Sequence, residues 1–371
     1  MFIDISVLQP MPASNPNRDD TGSPKTAMYG GARRHRVSSQ SWKRAVRKAF
    51  VKEVPAQYLG VRTQRAVEMV AKSVSDKAPE LADEATKLAE KVFTVAGIKL
   101  ETPVDKDGGE KPAEVKYLYF ISRGQIDAVA EAVIESQRSG TKLSKKDAKE
   151  LLKDRNSIDL ALFGRMVADD VDLNVDASCQ VAHALSTHAA ETEFDYFTGV
   201  DDAKESAEED RSSGAGMIGT VEFVSSCLYR FATINVDQLE KNLGSRDDAE
   251  VAVAAFLKAF VRSLPGGKMN TFANHSLPSA IYVSLREDQP ISLVGAFETP
   301  VRAGLEGGYV QRSAQKLEEF ATNMHRVYGA PVKAWTCVAD DAAAAVRNLG
   351  PEVDLQTLAR EVVEAAFAKG E

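Results

Sequence analysis

Apolar and polar residues alternate along FIDISVLQ (residues 2–9), and this period of two predicts a β-strand. The period lengthens at residues 40–50, where Trp42, Val46, Ala49 and Phe50 gather on one side at helical spacing. Lys43, Arg44, Arg47 and Lys48 gather on the other, and Ser38 or Ser39 is placed to cap the first turn. Between strand and helix, QPMPASNPNRDDTGSPK reads as a loop. Residues 62–96 predict two helices split by Pro79, residues 100–114 an exposed turn, and KYLYFIS at 116–122 a strand. Ser122 opens a helix to about Gln137 with Ile126, Val129 and Val133 as its stripe, and Ser144 opens a shorter one, SKKDAKELLKD. SIDLALFGRM at 157–166 turns apolar again, and QVAHALSTHAAE at 180–191 alternates as a strand. Strand is expected at 219–236, 279–285 and 291–297, helix at 247–263, a loop at PGGKMNTFANHS, and three helices with one strand at the end. DDAKESAEEDRSSGAG at 201–216 is acidic and poor in apolar residues, which predicts a mobile loop. Together these elements predict an α+β chain with a helical insertion at about 61–155 and a shorter excursion near 195–217.

Charge sharpens this picture. The 371 residues carry a net charge of −8, yet residues 1–50 hold nine Lys or Arg against three acids, leaving them at +6 and the other 321 at −14. The positive charge concentrates in GGARRHRVSSQSWKRAVRKAFVK at 30–52, a polyanion-binding surface on an acidic body. The helix N-terminus there, with Gln40 and the serines, suits a phosphate. A solvated basic face gives the same pattern; Arg33, Arg34 and Arg36, outside any helical spacing, favour nucleic acid.

Other chemistry is sparse. Cys179, Cys227 and Cys337 are far apart with no CxxC pair, so they read as reduced core residues. The histidines show no metal spacing, and His183 and His188 read as structural. No P-loop, GxGxxG or nucleophile elbow is present, and GLEGGY at 304–309 lacks a strand–turn–helix context. No cofactor is therefore expected. No apolar run approaches the ~20 residues of a membrane span, and no leader precedes Phe2, so a cytoplasmic location is expected.

NRDD, Lys25, GGARRHRVSSQSWKRAVRK, ALFGRM, VAHALSTHAAETEFDYFTGVDD, FVSSCLYRFATINVDQLEKNLG and GGKMNTFANH, in this order over nearly the whole chain, resemble the CasC backbone subunits of the type I-E CRISPR Cascade complex. The resemblance implies an RRM-like (ferredoxin-like) palm at 1–60, 156–194 and 218–371, helical fingers at 61–155 and a thumb at 195–217. It implies copies stacked as a filament along a CRISPR RNA, with no catalysis of their own. RNA contacts carry over to Arg18, Lys25, Ser38, Gln40, Lys43, Arg44 and Arg47, to the wedge Met166, to Phe197, Thr198 and Val200 at the thumb root, and to Lys268 and Asn270. DNA contacts carry over to Lys142, Lys145, Lys146 and Lys149. The implied partners are crRNA, target DNA, further copies, the large, small, crRNA-capping and crRNA-processing subunits, and a recruited helicase-nuclease. Asp19 and Asp20 leave one rival, an RNA-cleaving backbone that holds Mg²⁺; against it stands the use of Asp in turns.

Overall fold

The computed structural model describes residues 1–104, 111–167, 170–199 and 217–368. The chain opens with β1 (Phe2–Ser14), longer than expected because PMPAS continues the pairing beyond Gln9. β2 (Thr26–Tyr29) and β3 (Ala32–Val37) form a hairpin whose two-residue Gly30–Gly31 turn has both φ angles positive, a geometry that glycine adopts without strain. The basic helix α1 (Ser39–Glu53) follows at once.

A second layer of chain then departs from the sheet. β4 (Gly60–Thr63) leads into α2 (Ala66–Lys77), α3 (Ala85–Ala96), the short pair β5 (Leu100–Glu101) and β6 (Glu114–Val115), β7 (Tyr119–Ser122), α4 (Arg123–Ser139) and α5 (Lys145–Lys153). Ser122 and Ser144 open their helices, as the sequence predicts, and each completes a capping box with Gln125 and Asp147 reaching back. These helices enclose their own apolar core around Val70, Phe93, Tyr119, Val129 and Leu152.

The chain re-enters through α6 (Ile158–Phe163), whose residues up to Leu162 are buried. QVAHALSTHAAE becomes two short strands, β8 (Cys179–Val181) and β9 (Ala184–Ser186). β10 (Glu193–Gly199) pairs with the start of β11 (Met217–Asn235) as a two-stranded ribbon. The rest of β11 runs back beside β1. α7 (Val236–Leu243) and α8 (Arg246–Arg262) follow; α7 was not expected, because Asn235 both ends the strand and caps the helix. After the short α9 (Met269–Phe272) come β12 (Ala280–Arg286), α10 (Val310–Tyr328), β13 (Lys333–Val338) and α11 (Leu355–Ala366). The strand expected at 291–297 is instead a 3₁₀ turn at Leu293–Phe297. Leu293, Ala296 and Phe297 pack from it onto the sheet, a burial without period-two alternation.

Among the described residues the main sheet has nine strands in the order β13-β12-β1-β11-β9-β3-β2, with β8 and β10 also on β11, all antiparallel. Alternation sorts its residues. Ile3, Ile5, Leu228, Ile234 and Val283 face a core closed by α1, α8 and α11. Leu8, Tyr229, Phe231 and Tyr282 face the opposite layer of α10 and the 3₁₀ segments. The fold is α+β, as the sequence pattern implies. The three cysteines are unbridged, with Cys179 and Cys227 buried and Cys337 half-buried.

Candidate nucleic-acid interface

The loop after β1 is stitched down at both ends. Asn15, 1% exposed, donates through Nδ2 to the carbonyls of Gly22 and Glu222, both at 3.0 Å. Asn17 Oδ1 accepts the Ser38 amide at 2.8 Å, which ties the loop to the start of α1. Within it, Asp19 Oδ1 accepts from Thr21 Oγ1 (2.7 Å), Thr21 N (3.0 Å) and Ser23 N (3.0 Å). These bonds, the Thr21 hydroxyl foremost, hold its carboxyl below the usual carboxylate range. The turn leaves Arg18 exposed. The Gly267–Lys268 turn packs on the Pro16 backbone, where a Cβ on Gly267 would overlap the Pro16 carbonyl. Arg18 and Lys268 thereby line one open cleft of about 480 Å³, with Asp19, Asp20, Thr220 and Glu222 on its other walls. Asn270 is exposed two residues further on, in α9.

Ser38 caps α1 by accepting the Ser41 amide at 3.4 Å. Trp42, Val46 and Phe50 are buried, while Ala49, counted with them in the sequence, is only half-buried. Gln40, Arg44 and Lys48 point outward, and Lys43 Nζ stands 5.8 Å from the Phe163 ring centre. Among the described residues no carboxylate pairs with Arg18, Lys25, Lys43, Arg44, Lys48 or Lys268. Arg47 differs. Its Nε meets Asp159 Oδ2 at 2.9 Å, and its guanidinium lies 4.3 Å from the Phe120 ring centre. Asp159 Oδ1 also accepts from Gly60 N and Ser157 Oγ, each at 2.8 Å. Arg47 therefore bolts α1 to α6 through Asp159 and to the helical insertion through Phe120, so any nucleic acid must share it with Asp159.

The upstream arginines divide in the same way. Arg34 is fully buried, donating to Ser186 O (3.0 Å), Phe297 O (2.8 Å), Glu298 O (3.1 Å) and Tyr29 O (3.2 Å). It holds the hairpin and is closed to a ligand. Arg36 stays half-exposed and donates to Thr26 O at 3.1 Å and to His183 Nδ1 at 3.1 Å. Since a guanidinium only donates, His183 is neutral with its proton on Nε2. Burial, then Arg36, then Lys25 keep its pKa below the ordinary histidine value. Arg36, bound to the neutral His183, thus joins Lys25 in one cluster, which the sequence did not reveal because the strands that unite them pair across about 150 residues.

Three further groups of predicted residues lie elsewhere. Met166 is 83% exposed just beyond α6. Phe197 and Thr198 sit on the β10 ribbon, and Val200 lies outside the described residues. That ribbon also exposes Phe194, Tyr196 and Ile218 on one face, which the acidic character of the neighbouring text obscured. In α5, Lys142 just upstream and Lys145 are exposed, Lys146 reaches Glu150 at 3.8 Å, and Lys149 pairs with Asp170 (2.5 Å) and Asp172 (2.8 Å). Among the described residues there is no His, Cys, Asp or Glu cluster arranged to hold a metal, and no helix is long and apolar enough to cross a membrane.

The arrangement can bind phosphates from the exposed or half-exposed cations of the 15–25 loop, α1 and the Lys268 turn. The family model described as CT1975-like protein matches residues 3–361, and the chain belongs to that family. It is similar to a solved chain of a "CRISPR RNA-guided surveillance complex, pre-nicking", at 35% identity and a TM-score of 0.83, covering 99% of this chain and 100% of that one. A second, from a "CRISPR RNA-guided surveillance complex", is 30% identical with a TM-score of 0.73, covering 98% and 100%. No curated protein matches.

Proposed function

We propose that this chain is the crRNA-binding backbone subunit of a type I-E CRISPR surveillance complex, copies of which line the guide as a filament and present it to target DNA. The observation that carries this reading is the row of cations without carboxylate partners at Arg18, Lys25, Lys43, Arg44 and Lys268. It lies in a chain similar along its whole length to members of RNA-guided complexes. Lysine and arginine aimed at phosphate bind any guide, leaving sequence choice to base pairing. The palm, fingers and thumb of the CasC-like family correspond in this reading to the sheet body, the 61–155 insertion and the β10–β11 ribbon. The other subunits, the helicase-nuclease and the cytoplasmic location follow from the same reading.

The chain has no catalytic role of its own here. A ribonuclease using Asp19 and Asp20 is less well supported, because Asp19 Oδ1 already accepts three bonds within its turn. Co-expression with a repeat–spacer RNA tests the proposal. Wild type should carry RNase-sensitive, DNase-resistant material, and Lys43→Glu/Arg44→Glu should lose it. Protein that stays free of RNA with partner subunits present would refute the reading, and Mg²⁺-dependent cleavage of an RNA target would favour its rival.

A further inference from the structure

Met166 is 83% exposed although its neighbours Arg165 and Val167 are 5% and 1% exposed. We propose that Arg165 and Asn174 are positioning residues, which lock the backbone around Met166 so that its thioether stands as a rigid wedge against a nucleobase of the guide RNA. This inference rests on the RNA-binding reading.

The lock begins at Gly164, whose φ is +75° and where a Cβ would come within 2.7 Å of the Val175 carbonyl oxygen. Arg165 and Val175 then exchange both backbone hydrogen bonds, each at 2.9 Å. The Arg165 guanidinium fans out to three separate pieces of chain. It donates to Leu173 O at 3.0 Å, Phe120 O at 3.1 Å and Leu152 O at 2.8 Å, with its centre 5.0 Å from the Tyr119 ring centre. Its partners are carbonyls, so its fork shape, which lysine lacks, is what the site uses. Beyond Met166, the Val167 amide donates to Asn174 Oδ1 at 2.6 Å. Lys149 adds an outer tie through Asp170 and Asp172.

This rigidity has a use. A mobile residue that becomes ordered on contact loses conformational entropy, which opposes the contact. A methionine on a loose loop would yield to the stack. One held by Arg165 and Asn174 has met that ordering cost during folding, and its flexible thioether still fits any base.

The test uses the chain assembled with guide RNA carrying 2-aminopurine at successive positions, with retained RNA and melting temperature measured for every variant. Wild type should show fluorescence rises at regularly spaced positions, and Met166→Ala should abolish them. Arg165→Lys and Asn174→Ala retain Met166 yet should lose most of the rise, while Asn174→Asp, which preserves the accepting oxygen, should keep it. Full rises in both Arg165→Lys and Asn174→Ala would overturn the positioning role, and full rises in Met166→Ala would overturn the wedge. If Arg165→Lys does not fold, the Asn174 pair decides. Absence of RNA from the wild-type assembly would identify failure of the RNA-binding reading itself, and this inference would fall with it.

Discussion

The basic helix α1 and the lysine helix α5 look alike in sequence and differ in what their charges are doing. On α1 and the loop before it, Arg18, Lys25, Lys43, Arg44 and Lys48 have no carboxylate partner among the described residues. On α5, Lys149 is held by two aspartates and the exposed Lys146 approaches Glu150, leaving Lys142, Lys145 and Lys153 exposed with no carboxylate partner among the described residues. The surrounding insertion continues the pattern, with Lys77 on Asp127 and Glu131 and Arg138 on Glu80. Unneutralised charge, more than charge count, marks a polyanion surface, since paired cations have already given up much of their field. The contrast favours α1 as the main phosphate surface and leaves α5 a narrower part.

The comparison extends to arginines beneath α1, where the largest effect is expected. Arg230 is buried between Trp42 of α1 and Phe260 of α8, with its centre 3.7 and 4.4 Å from their rings. It donates to Gln9 Oε1 at 2.6 Å and to the Phe260 carbonyl, and burial pushes its pKa down to about 9. Arg230→Ala should cost about 4 kcal/mol, from the cavity and from stranded acceptors. Denaturant unfolding would show it, and a loss below 1 kcal/mol would mean that this arginine is not a support for α1.

His35 sharpens the contrast by adding a group kept neutral. Burial, then His188, holds its pKa down to about 4, and its Nδ1 lies 2.8 Å from Ser226 Oγ. Between about pH 4 and 6.5 the folded chain binds fewer protons here than the unfolded chain. This contribution is therefore complete above about pH 6.5 and lost as pH falls towards 4. Asp4, pushed up to about 6 chiefly by burial, has the opposite sign: its contribution is lost as pH rises through 6. Comparing wild type with His35→Gln isolates the histidine. The wild-type advantage should shrink by about 3 kcal/mol from about pH 7 to about pH 4, and a pH-independent difference would contradict it.

Asp159→Asn tests the bolt under Arg47. It should lower stability by about 2 kcal/mol, less than a fully buried pair because Arg47 is a quarter exposed. RNA affinity should hold or rise as the guanidinium is freed; a fall in affinity at unchanged stability would show that Asp159 instead orients Arg47 for RNA. The smallest effect belongs to Lys149→Ala, below about 1 kcal/mol for so partly exposed a pair. Target-DNA capture by the assembled complex should fall more for Lys142→Ala/Lys145→Ala than for Lys149→Ala, and the reverse order would break the distinction drawn on α5.

Local patterns were legible in the sequence where the determinants are local. The Ser122 and Ser144 caps, the apolar face of α1 and the alternation of β1 each depend on residues within a turn or two. What escaped depends on distant partners. Arg34 and Arg36 read as one cluster, yet Arg34 is consumed by carbonyls at Ser186 and Phe297, and no pattern near residue 34 announces them. Lys149 reads as a free cation because its aspartates arrive from beyond α6. The 291–297 segment reads as a strand because its apolar residues are real but packed on a 3₁₀ turn.

The most direct test of the central claim is the salt dependence of guide-RNA affinity for wild type, Lys43→Glu/Arg44→Glu and Lys145→Glu/Lys146→Glu. Each phosphate neutralised on a single strand contributes about 0.7 to the slope of log K against log salt. The α1 pair should flatten the slope by roughly 1.4, the share of two phosphates, while the α5 pair leaves it unchanged. Equal slopes for wild type and the α1 variant, or flattening only in the α5 variant, would contradict the account.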